Sequence, residues 1–187
     1  GRITNYAYEA RDLLQSVTNA DNQTTTYQRD ALGRVTRQNN GNGTFTDTSF
    51  DAAERPVLVF NRKSDNSVLS SFSYLYDASG NATQIAEADG STVDYGYDDL
   101  NRLIYEKRTG NHPYWYTYTL DPVGNRTQLA QKDPAGNVIG TTSATYDSAN
   151  KLLTYGNTSY TWDANGNLAS KTANNQTTTF TWNTSNK

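Results

Sequence analysis

Residues 95–103 read Tyr-Gly-Tyr-Asp-Asp-Leu-Asn-Arg-Leu, and this stretch decides the fold. Its two tyrosines are two positions apart, so both side chains lie on one face of a β-strand. Asp98 can accept hydrogen bonds from main-chain N–H groups two residues on, as the first residue of a type I turn does. Asn101 tolerates the left-handed conformation that closes such a turn. The stretch therefore predicts a β-hairpin, with Leu103 on its second strand facing the aromatic residues.

The same five-residue unit, here called the Asp turn, recurs along the whole chain. It consists of an acidic or amide residue, usually after an aromatic one, then two variable residues and a closing Gly, Asn or Asp. The nine copies are 16 to 26 residues apart and begin at Glu9, Asp30, Asp51, Asp77, Asp98, Asp121, Asp147, Asp163 and Asn183. Their closing residues are Asp12, Gly33, Glu54, Gly80, Asn101, Gly124, Asn150, Gly166 and Asn186. Only Glu54 departs from the pattern.

The residues on either side of the Asp turns predict cross-strand pairs. Aromatic residues two positions apart precede many of the turns: Tyr6/Tyr8, Tyr74/Tyr76, Tyr95/Tyr97, Tyr116/Tyr118, Tyr160/Trp162 and Phe180/Trp182. An apolar residue follows two positions after the closing residue at Leu14, Val35, Leu103, Leu152 and Leu168. Ala82 is a weaker match, and Arg126 breaks the pattern. We expect the apolar residues to meet the aromatic ones across each hairpin.

A second, less regular turn lies midway between the Asp turns. It falls at Ala20–Asn22, Asn40–Gly43, Asp65–Asn66, Asp89–Gly90, Gly110–Asn111, Asp133–Gly136, Gly156–Asn157 and Asn174–Asn175. With 27 Thr, 21 Asn and 14 Tyr, the composition suits half-buried strands and tight turns. We predict an all-β fold in which residues 1–187 form a single array of about eight to nine repeats with strands of about 5–9 residues.

Composition narrows the chemistry. The chain has no Cys, so it has no disulfide or thiolate site, and its one histidine, His112, excludes a site that needs two imidazoles. The net charge is −3 and no basic stripe is present, so a nucleic-acid partner is not expected. No apolar run approaches the ~20 residues of a membrane span. We predict no cofactor and no metal. The missing Met suggests an internal segment of a longer polypeptide.

These repeats resemble the YD (Rhs) repeats of bacterial Rhs proteins, Tc toxin shell components, bacterial wall-associated proteins and the animal teneurins. The closest segments are 74–81, 95–103 and 160–168. The resemblance implies a continuous, curved or spiralling antiparallel sheet that forms a hollow shell. In Rhs and Tc proteins the shell encloses a C-terminal toxin, and in teneurins it supports adhesion. The implied role is a structural wall segment of an exported bacterial protein, secreted or at the cell surface, with neighbouring repeats as its partners.

The chain departs from that family in two ways. It is several times shorter than a shell, so this segment alone encloses nothing. The family's autoproteolytic Asp-Pro-x-Gly-Leu site is also not seen. Asp121-Pro122-Val123-Gly124 resembles it, but Asn125 stands where Leu is expected, and Asp133-Pro134-Ala135-Gly136 is likewise followed by Asn137. Both stretches are in phase with the turns, and we interpret them as turns.

We predict that the chain is not an enzyme, because turn geometry accounts for most of its recurring acids and His112 falls in a loop. A binding role is the first alternative. Tyr114, Trp115 and Tyr116 place aromatic rings on both faces of one strand, where they could stack on the sugars of a cell-surface glycan; burial by neighbouring turns of the spiral is the competing interpretation. A self-assembling fibre is the second alternative. The terminal strands, 2–8 and 176–182, have little charge, and we expect them to associate end to end.

Overall fold

The computed structural model describes residues 3–183, which form seventeen β-strands and no helix. The all-β prediction is therefore confirmed. The strands are β1 (Asn5–Tyr8), β2 (Leu14–Thr18), β3 (Thr24–Arg29), β4 (Val35–Asn39), β5 (Phe45–Phe50), β6 (Pro56–Arg62), β7 (Val68–Tyr76), β8 (Ala82–Glu87), β9 (Thr92–Tyr97), β10 (Leu103–Thr109), β11 (Tyr114–Leu120), β12 (Arg126–Lys132), β13 (Val138–Tyr146), β14 (Leu152–Tyr155), β15 (Thr158–Trp162), β16 (Leu168–Ala173) and β17 (Gln176–Thr179).

The chain divides into two compact units, residues 1–94 with 109–111 and residues 95–108 with 112–187. In the first unit, each strand from β1 to β8 pairs antiparallel with the strand that follows it in sequence. In the second unit, each strand from β10 to β16 does the same. Each unit is thus a run of consecutive hairpins, as the repeat predicted.

The Asp turns have the predicted geometry. In the turn at Asp77, the Asp77 N–H donates to the Asn81 carbonyl and the Gly80 N–H donates back to the Asp77 carbonyl. The cross-strand register shifts by one residue at Tyr76 and Ala82, as a type I turn followed by a left-handed residue requires. All eight closing residues in the described range have positive φ: Asp12, Gly33, Glu54, Gly80, Asn101, Gly124, Asn150 and Gly166. The ninth, Asn186, lies outside the described residues.

The second turns are more regular than the sequence suggested. Five of them repeat the hydrogen-bond pattern of the Asp turn: 19–23, 40–44, 63–67, 87–91 and 133–137. The turn between β16 and β17 instead has two central residues, Asn174 and Asn175, both with positive φ as in a type I′ turn. Strand lengths also differ slightly from the expected range, since β1, β14 and β17 have four residues each. The final strand ends at Thr179 and not at Trp182.

The predicted cross-strand pairs are present. Tyr8 lies opposite Leu14, Tyr146 opposite Leu152, and Trp162 opposite Leu168. Most strand residues are half-buried, and the apolar residues that are buried within the described range are Phe45, Val93, Ala130 and Ala144. Since a core of that size is small, the ladder of main-chain hydrogen bonds and the cross-strand pairs supply much of the stability.

Strands of adjacent repeats pair at the second-turn end and separate toward the Asp turns. The register between β4 and β5 covers Arg37–Asn39, although β4 begins at Val35. The register between β6 and β7 likewise starts at Leu58 and not at Pro56. Within a hairpin, by contrast, the pairing between β7 and β8 continues to Tyr76, next to its turn. The Asp-turn end of each repeat therefore needs side chains to join it to the next.

Candidate functional site

Each Asp turn is built around one carboxylate. In the turn at Asp30, Oδ1 accepts hydrogen bonds from the main-chain N–H groups of Leu32 and Arg34, both at 3.0 Å. Oδ2 accepts from Nε of the Arg34 guanidinium at 2.7 Å, and Nη2 lies at the same distance. The turns at Asp51 and Asp98 repeat these bonds with Arg55 and Arg102. The carboxylate thus binds both the turn and the residue that follows its closing position.

Other turns use Asn where these use Arg. In the turn at Asp163, the Asn167 amide nitrogen donates to Oδ2 at 3.0 Å and its main-chain N–H donates to Oδ1 at 2.8 Å. The same two bonds join Asp77 to Asn81, Asp121 to Asn125 and Asp133 to Asn137. The sequence predicted the role of Asp but missed this partner. A readable signal was present, since Arg, Asn or Lys follows the closing residue in eight of the nine turns: 34, 55, 81, 102, 125, 151, 167 and 187.

These hydrogen bonds lower the pKa values of the turn carboxyls. The side-chain bond from Arg34 lowers the pKa of Asp30, and the Asn81 and Asn167 amides lower the pKa of Asp77 and Asp163 in the same way. Each of these carboxyls is therefore more firmly ionised when the protein is folded. A general acid needs the opposite shift, so this electrostatic pattern fits a structural role.

The Arg residues also reach the following repeat. Nη1 of Arg55 donates to the main-chain carbonyl of Asp77 at 3.3 Å, and its guanidinium lies 4.5 Å from the centre of the Tyr76 ring. Arg34 contacts the Asp51 carbonyl at 3.5 Å and the Phe50 ring at 4.6 Å. Arg102 donates to the Asp121 carbonyl at 2.9 Å. We call these contacts the arginine bridges. They join consecutive Asp turns where the strands separate.

A second set of contacts runs in the opposite direction. In each contact, the residue that precedes the first residue of the turn donates a hydrogen bond from the end of its side chain. The acceptor is a main-chain carbonyl of the preceding repeat, and it belongs to the residue two positions after that repeat's closing residue. The pairs are Arg29 to Leu14 at 3.0 Å, Tyr76 to Pro56 at 2.7 Å, Tyr146 to Arg126 at 3.1 Å, Trp162 to Leu152 at 2.8 Å and Trp182 to Leu168 at 2.8 Å. These tip bonds explain why Tyr and Trp, which carry a polar group on a large ring, suit the position.

The separation of β4 from β5 leaves an open cavity of about 460 Å³ in the first unit. Its lining is mostly polar: Gln28, Asp30, Arg34, Thr36, Arg37, Asp47, Thr48, Ser49 and Phe50. Its arginines already have carboxylate partners, since Arg34 binds Asp30, and Nε and Nη2 of Arg37 bind Asp47. The charged side chains that line the cavity thus form ion pairs with one another.

The predicted aromatic strand lies in β11, with all three residues half-buried. Tyr114 and Tyr116 stack with their ring centres 5.3 Å apart. The strand alternation places Trp115 on the opposite face, where Nζ of Lys107 lies 4.2 Å and Nζ of Lys132 lies 5.0 Å from its ring centre. Ammonium groups at these distances make cation–π contacts. The structure therefore brings Tyr114 and Tyr116 together and separates both from Trp115.

The remaining candidates for chemistry lie in turns. His112 is exposed, with a φ of 54°. Asp121 and Asp133 both bind the amide of the following Asn and sit in ordinary turns, as predicted. Within residues 3–183, no group of three His, Cys, Asp or Glu residues is arranged to hold a metal ion. No helix in that range is long and apolar enough to cross a membrane.

Comparison with known sequences agrees with the repeat geometry. A family model described as "RHS Repeat" matches residues 8–44 and 76–112, each of which contains Asp turns. Both of these segments therefore carry the RHS (YD) repeat. Among curated proteins it is 31% identical over 98 residues to the tRNA nuclease WapA of Bacillus subtilis and to the tRNA3(Ser)-specific nuclease WapA of Bacillus spizizenii. The match covers 50% of the chain but only 4% of either relative, so the chain is a small fraction of their length.

Solved structures show the same fold over nearly the whole chain. A crystal structure of TcdB2-TccC3 without its hypervariable C-terminal region superposes with a TM-score of 0.71 at 22% identity, covering 91% of this chain and 11% of that one. The Tc holotoxin pore of Photorhabdus luminescens gives a TM-score of 0.69, also at 22% identity, and covers 92% of this chain and 11% of that one. The chain thus shares its hairpin fold with both of these structures.

Proposed function

We propose that this chain is a wall segment of a YD-repeat shell that encloses a polypeptide cargo in a secreted or cell-surface bacterial protein. The observation that supports this most directly is the repeated turn network. Successive Asp turns use their carboxylates to bind their own main chain, and arginine bridges or tip bonds then join each turn to a neighbour. Such an array is quasi-one-dimensional and extends by adding identical units, as a wall requires.

The side-chain chemistry supports a structural role over a catalytic one. The recurring carboxylates have lowered pKa values and are hydrogen-bonded, and the exposed His112 lies in a turn. The fold is shared with a Tc toxin, and the curated relatives are much longer proteins. We propose that the neighbouring repeats of the parent chain are the main partners and that the terminal strands continue the sheet, so that isolated segments would associate end to end.

Limited proteolysis of the full polypeptide that carries this segment would test enclosure. We expect the polypeptide that follows the repeats to resist protease in the intact protein and to be cleaved when it is expressed alone. Replacing Arg34, Arg55 and Arg102 with Ala should weaken the wall and speed cleavage about tenfold, because local opening becomes easier. Equal cleavage rates for the intact protein and the isolated cargo would contradict the proposal.

Glycan binding by Tyr114, Trp115 and Tyr116 is a second candidate. The stacked pair Tyr114 and Tyr116 favours it, because neighbouring aromatic rings on one strand face suit a sugar ring. The two lysines over Trp115 weigh against stacking at that residue. A glycan array followed by calorimetry would test the site. Tyr116→Ala should abolish binding and Trp115→Ala should leave it intact; binding that survives Tyr116→Ala would exclude this pair as the site.

A further inference from the structure

Strand β13 runs past the hairpin beside it. It has nine residues, whereas β14 has four, and the register between them covers only Ala144–Tyr146. The last main-chain bond is donated by the Gly156 N–H to the Ser143 carbonyl at 2.8 Å. Gly156 belongs to the turn that ends the β14–β15 hairpin. Residues Val138–Thr142 therefore continue past the last main-chain bond to that hairpin, and we call them the ledge.

The main chain of the ledge continues the β13–β14 ladder. In an antiparallel sheet, the N–H and C=O groups of successive residues alternate between the two neighbouring strands. Ser143 faces the β14 side, since its carbonyl accepts from Gly156. Thr141 must then face the same side, while Gly140 and Thr142 face β12, their partner in the register. The N–H and C=O of Thr141 are thus directed outward at the point where the ladder stops.

The side chains of the ledge do not protect this edge. Val138 is 55% exposed and Ile139 is 61% exposed, and both are β-branched. The ledge contains no charged residue and no proline, which are the usual means by which proteins prevent an edge strand from pairing.

The first unit repeats the arrangement on a smaller scale. Strand β7 also has nine residues, and its Ser71 carbonyl accepts a hydrogen bond from Ala88 N–H at 3.1 Å. Val68 and Leu69 extend beyond that bond and are 46% and 52% exposed. A cavity of about 210 Å³ lies beside Leu69 and is lined by residues 69–72 and 87–89. Because two long strands both begin with exposed apolar residues, the arrangement is a recurring feature of the repeats and is not confined to one loop.

We propose that the ledge Val138–Thr142 binds an extended segment of another polypeptide as an added β-strand. An added strand would continue an existing pairing, because β14 already occupies the same side of β13 along Ala144–Tyr146. Main-chain bonds to Thr141 would supply affinity, and contacts with the exposed Val138 and Ile139 would favour apolar or β-branched side chains. The ledge spans roughly 16 Å, enough for about five residues of partner. This proposal does not depend on cargo enclosure.

A labelled peptide tests the ledge directly. The probe is Lys-Thr-Val-Thr-Val-Thr-Lys, and its control carries N-methyl groups on alternate residues, which remove the main-chain donors and keep the side chains. Fluorescence anisotropy with the 187-residue chain should show saturable binding of the probe and at least about tenfold weaker binding of the methylated control. Equal binding of both peptides would indicate apolar adsorption and overturn the proposal.

A variant pair locates the site. Thr141→Pro removes an N–H that points away from β12, so the hairpin should fold and keep its circular dichroism spectrum. It should reduce probe binding about tenfold, whereas Thr141→Ala, which keeps the N–H, should bind as wild type does. If Thr141→Pro does not fold, Ile139→Lys replaces it, since a charge on the edge opposes pairing. Unchanged binding by the folded variant would overturn the proposal. The proposal would also be overturned if the wild-type chain did not bind the probe but self-associated, and if Thr141→Pro made it monomeric. The occupant of the ledge would then be a second copy of the chain.

Discussion

The Asp turns that are followed by Arg and those that are followed by Asn differ in reach. In both kinds, the Asp carboxylate accepts hydrogen bonds from the main-chain N–H groups two and four residues on and from the side chain four residues on. The guanidinium is longer and has five donors, so Arg55 binds Asp51, contacts the next carbonyl and covers the next ring at once. The Asn125 amide reaches a neighbouring side chain, Asn150, at 2.9 Å, but it carries no charge. The turn itself thus needs only an Asp and a donor, whereas an Arg adds a charged group that reaches the main chain and the aromatic ring of the next repeat.

Low pH should weaken the hydrogen bonds to the Asp carboxylate that both kinds of turn share. The pKa values of Asp30, Asp51, Asp77, Asp98, Asp121 and Asp163 are lowered in the fold. A lowered folded pKa stabilises the protein fully above the unfolded value, about 3.9, and the contribution is lost as pH falls through the folded value. We expect a constant melting temperature from pH 7 to about 5 and a steep decrease below about 4. A melting temperature at pH 3 equal to that at pH 7 would show that the carboxylates contribute little.

The closing position should be sensitive to substitution in the turns that are followed by Asn. Gly80 and Gly166 close Asn turns with φ values of 91° and 84°. A β-branched side chain is strained in that conformation, so Gly80→Val and Gly166→Val should each destabilise by roughly 1–3 kcal/mol in urea unfolding. Gly140, whose φ is not in the left-handed region and whose Cβ position is open, provides the control, and Gly140→Val should change stability little.

Removing the closing donor should separate the two kinds of turn. Arg55→Ala loses the ion pair with Asp51, the bridge to Asp77 and the contact with Tyr76, and we expect a loss of about 2 kcal/mol. Asn167→Ala loses the hydrogen bond from the side-chain amide to one carboxylate, and we expect a loss of about 1 kcal/mol in the free energy of unfolding. The measurement is urea unfolding of both variants beside wild type. Equal losses would mean that the bridge contributes nothing beyond the turn.

The smallest effect is expected at Glu54, which closes an Arg turn with a φ of 65°. A non-glycine residue in this conformation costs about 1–2 kcal/mol, and glycine avoids that cost but adds about 0.5–1 kcal/mol of chain entropy. Glu54→Gly should therefore be neutral or stabilise by up to about 1 kcal/mol, a rise of up to about 4 °C in melting temperature. A decrease of several degrees would show that this turn is stabilised differently from the others.

The sequence predicted the hairpins because each Asp turn is a local structure. Asp at the first position and a residue tolerant of positive φ at the fourth are enough to define it, and Glu54 followed the phase of the repeat even without a favourable residue. The same logic extends to second turns such as 40–44, where Asn40 and Gly43 occupy the corresponding positions. Their varied first residues, Lys63 and Glu87 among them, hid that regularity.

The links between repeats could not be predicted in the same way. The bridge from Arg55 to Asp77 joins residues 22 apart, and its geometry depends on how far two strands separate. The phase of the repeat placed Tyr76 and Pro56 in adjacent hairpins, but nothing in that phase showed that a hydroxyl would meet a carbonyl. The aromatic strand illustrates a similar limit. Alternation placed Trp115 opposite Tyr114 and Tyr116, whereas the two lysines over its ring come from β10 and β12.

The most direct test of the account replaces the three bridging arginines with lysine. The triple variant Arg34→Lys, Arg55→Lys, Arg102→Lys keeps every charge but loses the planar fork that binds a carboxylate and a carbonyl together. If arginine bridges hold the repeats together, equilibrium urea unfolding should show a loss of about 3 kcal/mol relative to wild type. If these residues are only exposed ion pairs, lysine should serve as well, and a change within about 0.5 kcal/mol would contradict the account.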